Sequence, residues 1–137
     1  MSTETKAVEI PESHLEILQK KGFAHVATIG PGGEPHSSPV WYDWDGEYIL
    51  FSQTKTRRKY RNLQKDARIA LSVLDPDNPY HYLEIRGVVH SVEDDPNSAF
   101  IDSLSKKYLG LEKYPYPQPG DERIVLKVTP SHLSFMG

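Results

Sequence analysis

The chain contains no cysteine, which removes a disulfide framework, a thiol nucleophile and any thiolate metal site together. No apolar run approaches the length needed to cross a bilayer. Residues 1–9 are polar and mixed in charge, without the apolar core of a signal peptide. A cytoplasmic protein, not a membrane one, is the expectation. The histidines His14, His25, His36, His81, His90 and His132 show no His-x-x-x-His spacing, so no metal site is expected. There is no Gly-x-Ser-x-Gly elbow, no Walker loop and no dinucleotide glycine fingerprint. Hydrolase, nucleotide-hydrolase and Rossmann readings therefore find no support. A net charge of −3 argues against a general nucleic-acid binder, which is normally basic overall.

What is present fits one soluble domain spanning 1–137, with room for a single core. A helix is predicted over Pro11–Lys21, with Leu15, Ile17 and Leu18 at helical spacing and Gly22 just past its end. Strands are predicted over Phe23–Gly30 and His36–Trp44, separated by the turn Pro31–Pro35. Asp45-Gly46 is a two-residue hairpin signal leading into a third strand, Glu47–Ser52. Ala67–Leu74 is a fourth strand, Asp75–Pro79 a loop, and Tyr80–Val92 a long fifth strand in which Gly87 marks a bulge or bend. A helix follows Asp94-Asp95-Pro96, with Phe100, Leu104 and Tyr108 along one face. Gly110–Glu122 is a proline-rich loop, and Arg123–Val128 and His132–Met136 close the chain as strands. Six or seven largely antiparallel strands with short helices make a mainly β protein, a small barrel.

The positive charge is concentrated. Lys55, Arg57, Arg58, Lys59, Arg61 and Lys65 place six cations within eleven residues. Thr56 is the expected N-cap of a short helix ending at Lys65, which puts Arg57, Arg58 and Lys59 in its first turn. Cations are disfavoured there by roughly 0.3–1 kcal/mol each, because the N-terminal end of a helix is itself partially positive. Free backbone N–H groups, hydroxyls and cations at one helix start suit a phosphate. The other reading is a solvated basic helix whose side chains reach water. RNA binding through Arg57, Arg58 and Arg61 would call for exposed aromatic residues beside them.

These motifs resemble the pyridoxamine-phosphate-oxidase-like split β-barrel superfamily, and within it the reductases dependent on the deazaflavin coenzyme F420. The residues that carry the resemblance are Ala27-Thr28, Gly33 through Val40, Thr56 through Leu63, Asp66 through Leu71, Tyr82 through Gly87, and Arg123 through Leu126. Their order and spacing cover roughly residues 14–136.

The resemblance implies an FMN-binding-type split β-barrel and an oxidoreductase that passes a hydride to a small organic acceptor. It implies that Ser52, Thr54, Lys55, Arg57, Lys59 and Asn62 hold the cofactor phosphate. His36, Ser38, Pro39 and Val40 would lie beside the flat ring, Pro39 standing where some relatives carry a polar residue. It further implies a homodimer with the cofactor at the subunit interface, the partner supplying the segment that holds Tyr80 and Tyr82. The alternatives are an FMN-dependent enzyme of the same superfamily and a non-catalytic cofactor holder. No acid or base is singled out; solvent, His36 and Tyr82 all stand as proton sources. Ser38 also reads as an ordinary strand hydroxyl, Tyr80 and Tyr82 as cross-strand packing, and Trp41 and Trp44 as buried area. Tyr114 and Tyr116 read either as a wall over the substrate or as part of a stiff surface connection.

Overall fold

Two strands that share only two connecting residues lie at opposite edges of one sheet, and this fixes the architecture. The computed structural model describes residues 7–137. Its strands are β1 (Ala24–Ile29), β2 (Pro35–Val40), β3 (Asp43–Trp44), β4 (Ile49–Thr54), β5 (Arg68–Asp75), β6 (Asn78–Asp94) and β7 (Arg123–Met136). They form a seven-stranded sheet in the order β2-β1-β5-β6-β7-β4-β3, every pairing antiparallel. Laid flat, its outer strands would stand about 29 Å apart at about 4.8 Å per strand. Only Trp41 and Tyr42 link β2 to β3, and three Cα steps reach at most about 11 Å. The sheet must therefore curl until its edges nearly meet. The result is a split barrel, joined across the gap by chain rather than by a hydrogen-bonded ladder.

The sequence pattern explains the curl. In β5, Ile69, Leu71 and Val73 point inward while Arg68, Ser72 and Leu74 point out. Val26, Phe51, Leu71, Leu83, Ile85 and Leu126 fill the interior, sealed at one end by Ile17 and Leu18. All six residues of β4 are buried, because material covers both faces of that strand. Gly87 sits at the expected irregularity, where the β6–β7 register shifts between Arg86 and Gly87. A Cβ there would lie 2.0 Å from the Thr129 carbonyl oxygen, so the two backbones cross too closely for any side chain.

Three short helices complete the fold: α1 (Glu12–Leu15, continued by a 3-10 turn over Glu16–Gln19), α2 (Arg58–Lys65) and α3 (Ala99–Leu109). Among the described residues no helix is long and apolar enough to cross a membrane. Residues 1–6, part of the stretch read as lacking a signal peptide, lie outside the described residues.

The sequence expectation differs from this structure at five places, one of them the β3–β4 connection, which spans the four residues 45–48 rather than the two residues Asp45-Gly46 because Trp44 pairs with Ile49. The first helix is shorter than Pro11–Lys21, and Gly22 does not adopt a left-handed conformation. Gly22 is needed instead for close approach, since a Cβ would lie 3.0 Å from the Leu74 carbonyl oxygen. The strand expected over His36–Trp44 is two strands, interrupted where the chain changes edges. The two closing strands are one continuous β7, which stays paired with β6 through a register shift at Pro130. Asp75–Pro79 is a tight hairpin rather than a loop, because Asp75 pairs directly with Asn78.

Candidate anion-binding site

Helix α2 fills the gap in the barrel, and its sequence determines what it turns inward. Lys59, Asn62 and Leu63, spaced i, i+3 and i+4, form its buried face. Asn62 Nδ2 donates to Thr28 Oγ1 at 3.0 Å, pinning the helix to β1. One turn earlier, Lys59 Nζ donates to Ser38 Oγ of β2. Only 8% of Lys59 is exposed. Burial lowers its pKa from the ordinary value of 10.5, and the nearby Arg57 charge adds to the effect.

Thr56 is not the N-cap. Arg57 occupies that position with extended backbone, and no side chain caps the helix. Thr56 Oγ1 instead meets Thr54 Oγ1 at 3.1 Å, and Arg57 N donates to the Thr54 carbonyl at 3.1 Å. The first turn contains no acidic residue. The helix start thus keeps unsatisfied backbone donors beside a buried ammonium and the exposed Arg57.

A cleft of about 400 Å³ opens at this point. Ser38, Pro39, Val40, Ser52, Thr54, Arg57 and Lys59 all line it, so the β2, β4 and helix-start residues singled out from sequence meet in one place. Among the described residues, no carboxylate lies within 4.0 Å of Lys59, Arg57, Arg58, Arg61, Lys65 or Arg123. An unneutralised buried ammonium is costly, and an anion in the cleft would offset that cost.

The remaining expected residues are placed differently. Lys55 pairs with Asp94 at 3.3 Å and Glu122 at 3.7 Å, and its pKa is raised chiefly by the Asp94 hydrogen bond. It faces an adjoining, more acidic cleft of about 780 Å³. Asn62 lies behind the site, where it lines a small groove with Pro31, Arg58, Arg61 and Lys65. His36 is half-buried on the same alternation of β2 as Ser38, and its Nδ1 is buried without a partner. Tyr80 and Tyr82 belong to the β5–β6 end of the sheet and do not line the cleft, Tyr80 being 76% exposed.

Sequence reasoning missed several lining residues. Gln53 comes from β4, Arg123 from β7, Phe23 precedes β1, and Ile101 and Leu104 come from α3. Pairing between Thr54 and Arg123 would have been needed to find the arginine. Trp44 packs against the core, whereas Trp41 lines the cleft.

A second cluster also escaped the spacing search. Glu16, Asp75 and His81 bring candidate ligand atoms within 4.8 Å of one another. Asp75 is already engaged, at 2.9 Å by Lys20 Nζ and at 2.9 Å by His81 Nδ1. His81 Nε2 faces the Ser13 carbonyl at 2.9 Å. Both ring nitrogens therefore meet acceptors, an arrangement only the imidazolium satisfies fully.

The family model described as pyridoxamine 5'-phosphate oxidase matches residues 10–137. A solved structure of an F420 reductase is 38% identical, with a TM-score of 0.82, over 91% of this chain and 98% of that one. The 5a,11a-dehydrotetracycline/5a,11a-dehydrooxytetracycline reductase of Streptomyces rimosus is 34% identical over 68 residues. That match spans about half of each protein, 47% of this chain and 48% of the relative. A conserved hypothetical protein of Mycobacterium tuberculosis shares the fold at 20% identity, with a TM-score of 0.73 over 99% of this chain and 89% of that one.

Proposed function

The chain belongs to the pyridoxamine 5'-phosphate oxidase family, and from that premise we propose that it is a reductase dependent on the deazaflavin coenzyme F420. The observation that carries this reading is Lys59: buried, hydrogen-bonded to Ser38, unneutralised, and set at an uncapped helix start. Bound there in its reduced form, the deazaflavin supplies a hydride for two-electron reduction of a small organic acceptor.

The chain's own residues bind and orient. Lys59, Arg57 and the backbone donors at the start of α2 hold the phosphate, with Ser52 and Thr54 as neighbouring hydroxyl partners. Ser38, Pro39 and Val40 offer one side of the cleft to the flat ring. His36, on the same strand but not lining the cleft, has a buried Nδ1 without a partner.

Two cofactors fit a phosphate site of this kind. FMN ends in one phosphate, which Lys59 and Arg57 suffice to hold. The charge beyond them favours the deazaflavin. Arg58, Arg61 and Lys65 line one groove along the outer flank of α2, an exit suited to the carboxylates of a polyglutamyl tail. Lys55 is occupied by Asp94 and Glu122 and is not assigned to the cofactor.

A homodimer belongs to the same proposal. The exposed Leu74, Tyr80, Phe135 and Met136 gather at one end of the sheet, and a second copy would cover them. In that arrangement Tyr80 and Tyr82 reach the partner's cleft.

The test is a paired titration of the cofactor-free protein with coenzyme F420 and with FMN, followed by single-turnover mixing with the reduced deazaflavin and a conjugated ketone. Tighter binding of the deazaflavin with oxidation on mixing supports the reading. Tighter binding of FMN overturns the cofactor, and deazaflavin binding without turnover on any acceptor points to a holder protein.

A further inference from the structure

His81 stands between two acceptors, and a neutral imidazole has one proton for them. Its Nε2 lies 2.9 Å from the Ser13 carbonyl, which has no proton to give, so the ring N–H belongs there. Its Nδ1 then turns a lone pair toward Asp75 Oδ2 at 2.9 Å, acceptor against acceptor, and a positive centre must stand between them. Among protonation states only the imidazolium supplies one. A metal ion on Nδ1 supplies one as well, and a ligating histidine ordinarily donates its other N–H to a carbonyl or carboxylate.

The surroundings hold the further ligands. Glu16 Oε1 is 3.8 Å from the same Nδ1, and donor atoms of Glu16, Asp75 and His81 all fall within 4.8 Å of one another. Bonds of about 2.0–2.2 Å in a tetrahedron place ligand atoms about 3.3 Å apart. Asp75 and His81 are near that separation already, and both are buried. The adjustment falls to Glu16, whose side chain is 58% exposed and has room to move. Asp75 is oriented from behind, its Oδ1 accepting from Lys20 Nζ at 2.9 Å and from Asp77 N at 2.8 Å. Lys20 Nζ is also 3.0 Å from Oδ2, and it keeps Oδ1 when an ion takes Oδ2. His14 packs against the His81 ring at 4.5 Å and gives its own Nε2 to the Met136 carbonyl. Three carboxylates, Glu16, Asp75 and Asp77, stand against the one ammonium of Lys20. The two net negative charges that remain match one divalent cation.

We propose that Glu16, Asp75 and His81 bind a divalent transition-metal ion of the zinc class, with water completing the tetrahedron. A small set of imidazole and carboxylate donors suits zinc, whereas magnesium and calcium call for oxygen donors throughout. The ligands come from the 3-10 turn after α1, the end of β5 and the start of β6. The ion fastens the first helical segment, whose Ile17 and Leu18 seal the barrel, to the β5–β6 hairpin. The histidine spacing gives no hint of the site, because two ligands are carboxylates and all three come from separate elements. None of the three lines the cleft beside α2, so the site is independent of the reductase reading.

The probe is cobalt(II), titrated into cofactor-free protein, because its visible bands are intense only at low coordination number. One equivalent should bind with intense bands, zinc should displace it, and a large excess of magnesium should not. Zinc should also raise the melting temperature, and magnesium should leave it in place. His81→Gln should abolish the bands. Glu16→Gln changes an exposed side chain, so the metal-free variant should melt close to wild type while binding cobalt at least about tenfold more weakly. Melting of the metal-free proteins reports whether each variant is folded, and Glu16→Gln carries the test if His81→Gln is not. Equal cobalt affinity in wild type and His81→Gln would assign binding to the exposed His25, His90 or His132 and overturn the site. Weak six-coordinate bands, no binding, or an unchanged affinity in Glu16→Gln would each overturn it too.

Discussion

Replacing Lys59 by methionine should separate binding from stability. Methionine keeps most of the buried aliphatic stem and removes the ammonium. In the cofactor-free protein, the substitution deletes one hydrogen bond to Ser38 and the cost of burying an unneutralised charge. These terms oppose each other, so the unfolding free energy should change by less than about 1 kcal/mol. With an anion bound, the same ammonium makes a charge-assisted contact of about 1.5–3 kcal/mol. Cofactor affinity should then fall about ten- to hundredfold. Urea unfolding of the cofactor-free protein and fluorescence titration of the deazaflavin measure the two quantities on one preparation. The pH dependence adds a sign. Because the folded-state pKa of Lys59 is lowered, the unfolded chain holds the proton over the interval below 10.5. Wild-type stability should therefore gain from this residue as pH rises through its folded pKa, a gain the methionine variant lacks. Bound anion favours the charged form, so affinity should fall across the same interval. A loss of more than about 2 kcal/mol in stability with unchanged affinity would show that Lys59 is a structural strut.

Three further outcomes are specific. Thr56→Ala should change stability by less than about 0.5 kcal/mol in urea unfolding, since Thr56 does not cap α2; a loss of 1 kcal/mol or more, the usual cost of removing a cap, would restore the cap. Gly87→Ala should cost about 2–4 kcal/mol by the same assay, because the added Cβ would meet the Thr129 carbonyl at 2.0 Å; a neutral result would mean β6 and β7 separate easily there. The His81 pKa is raised above 6.5, chiefly by the Asp75 hydrogen bond. Its contribution is thus complete below pH 6.5 and lost as pH rises through the folded pKa. Thermal melts should show that decline in wild type and not in His81→Gln, and identical profiles would exclude the imidazolium.

Much of the fold was legible because it rests on local signals. Alternation in Ala67–Leu74 and the glycine in the long fifth strand each report a local constraint, and each element formed near its expected place; Asp45-Gly46 marked a chain reversal correctly but not its length, which is four residues. The break between β2 and β3 was not legible. Its cause is the closure of the whole sheet, which forces Trp41 and Tyr42 to change edges, and no property of those residues announces it. The same distinction governs the site. Lys59 and Arg57 were visible as charge placed against a helix dipole. Arg123, Gln53 and Trp41 are far from α2 in sequence or unremarkable in type, and they reach the cleft only through strand register and the split. Tyr80 and Tyr82, suggested by resemblance, lie away from the cleft of their own chain.

The most direct measurement compares two deazaflavins that share the same ring: coenzyme F420, and the same molecule cut back to its riboside, without phosphate or polyglutamyl tail. Both would be titrated into cofactor-free protein at low and high salt. If Lys59, Arg57 and the α2 flank hold the anion, the full coenzyme binds at least about a hundredfold more tightly, and the advantage shrinks with salt and largely disappears in Lys59→Met. Equal affinities, or a preference for the full coenzyme that salt and Lys59→Met leave intact, would contradict this assignment.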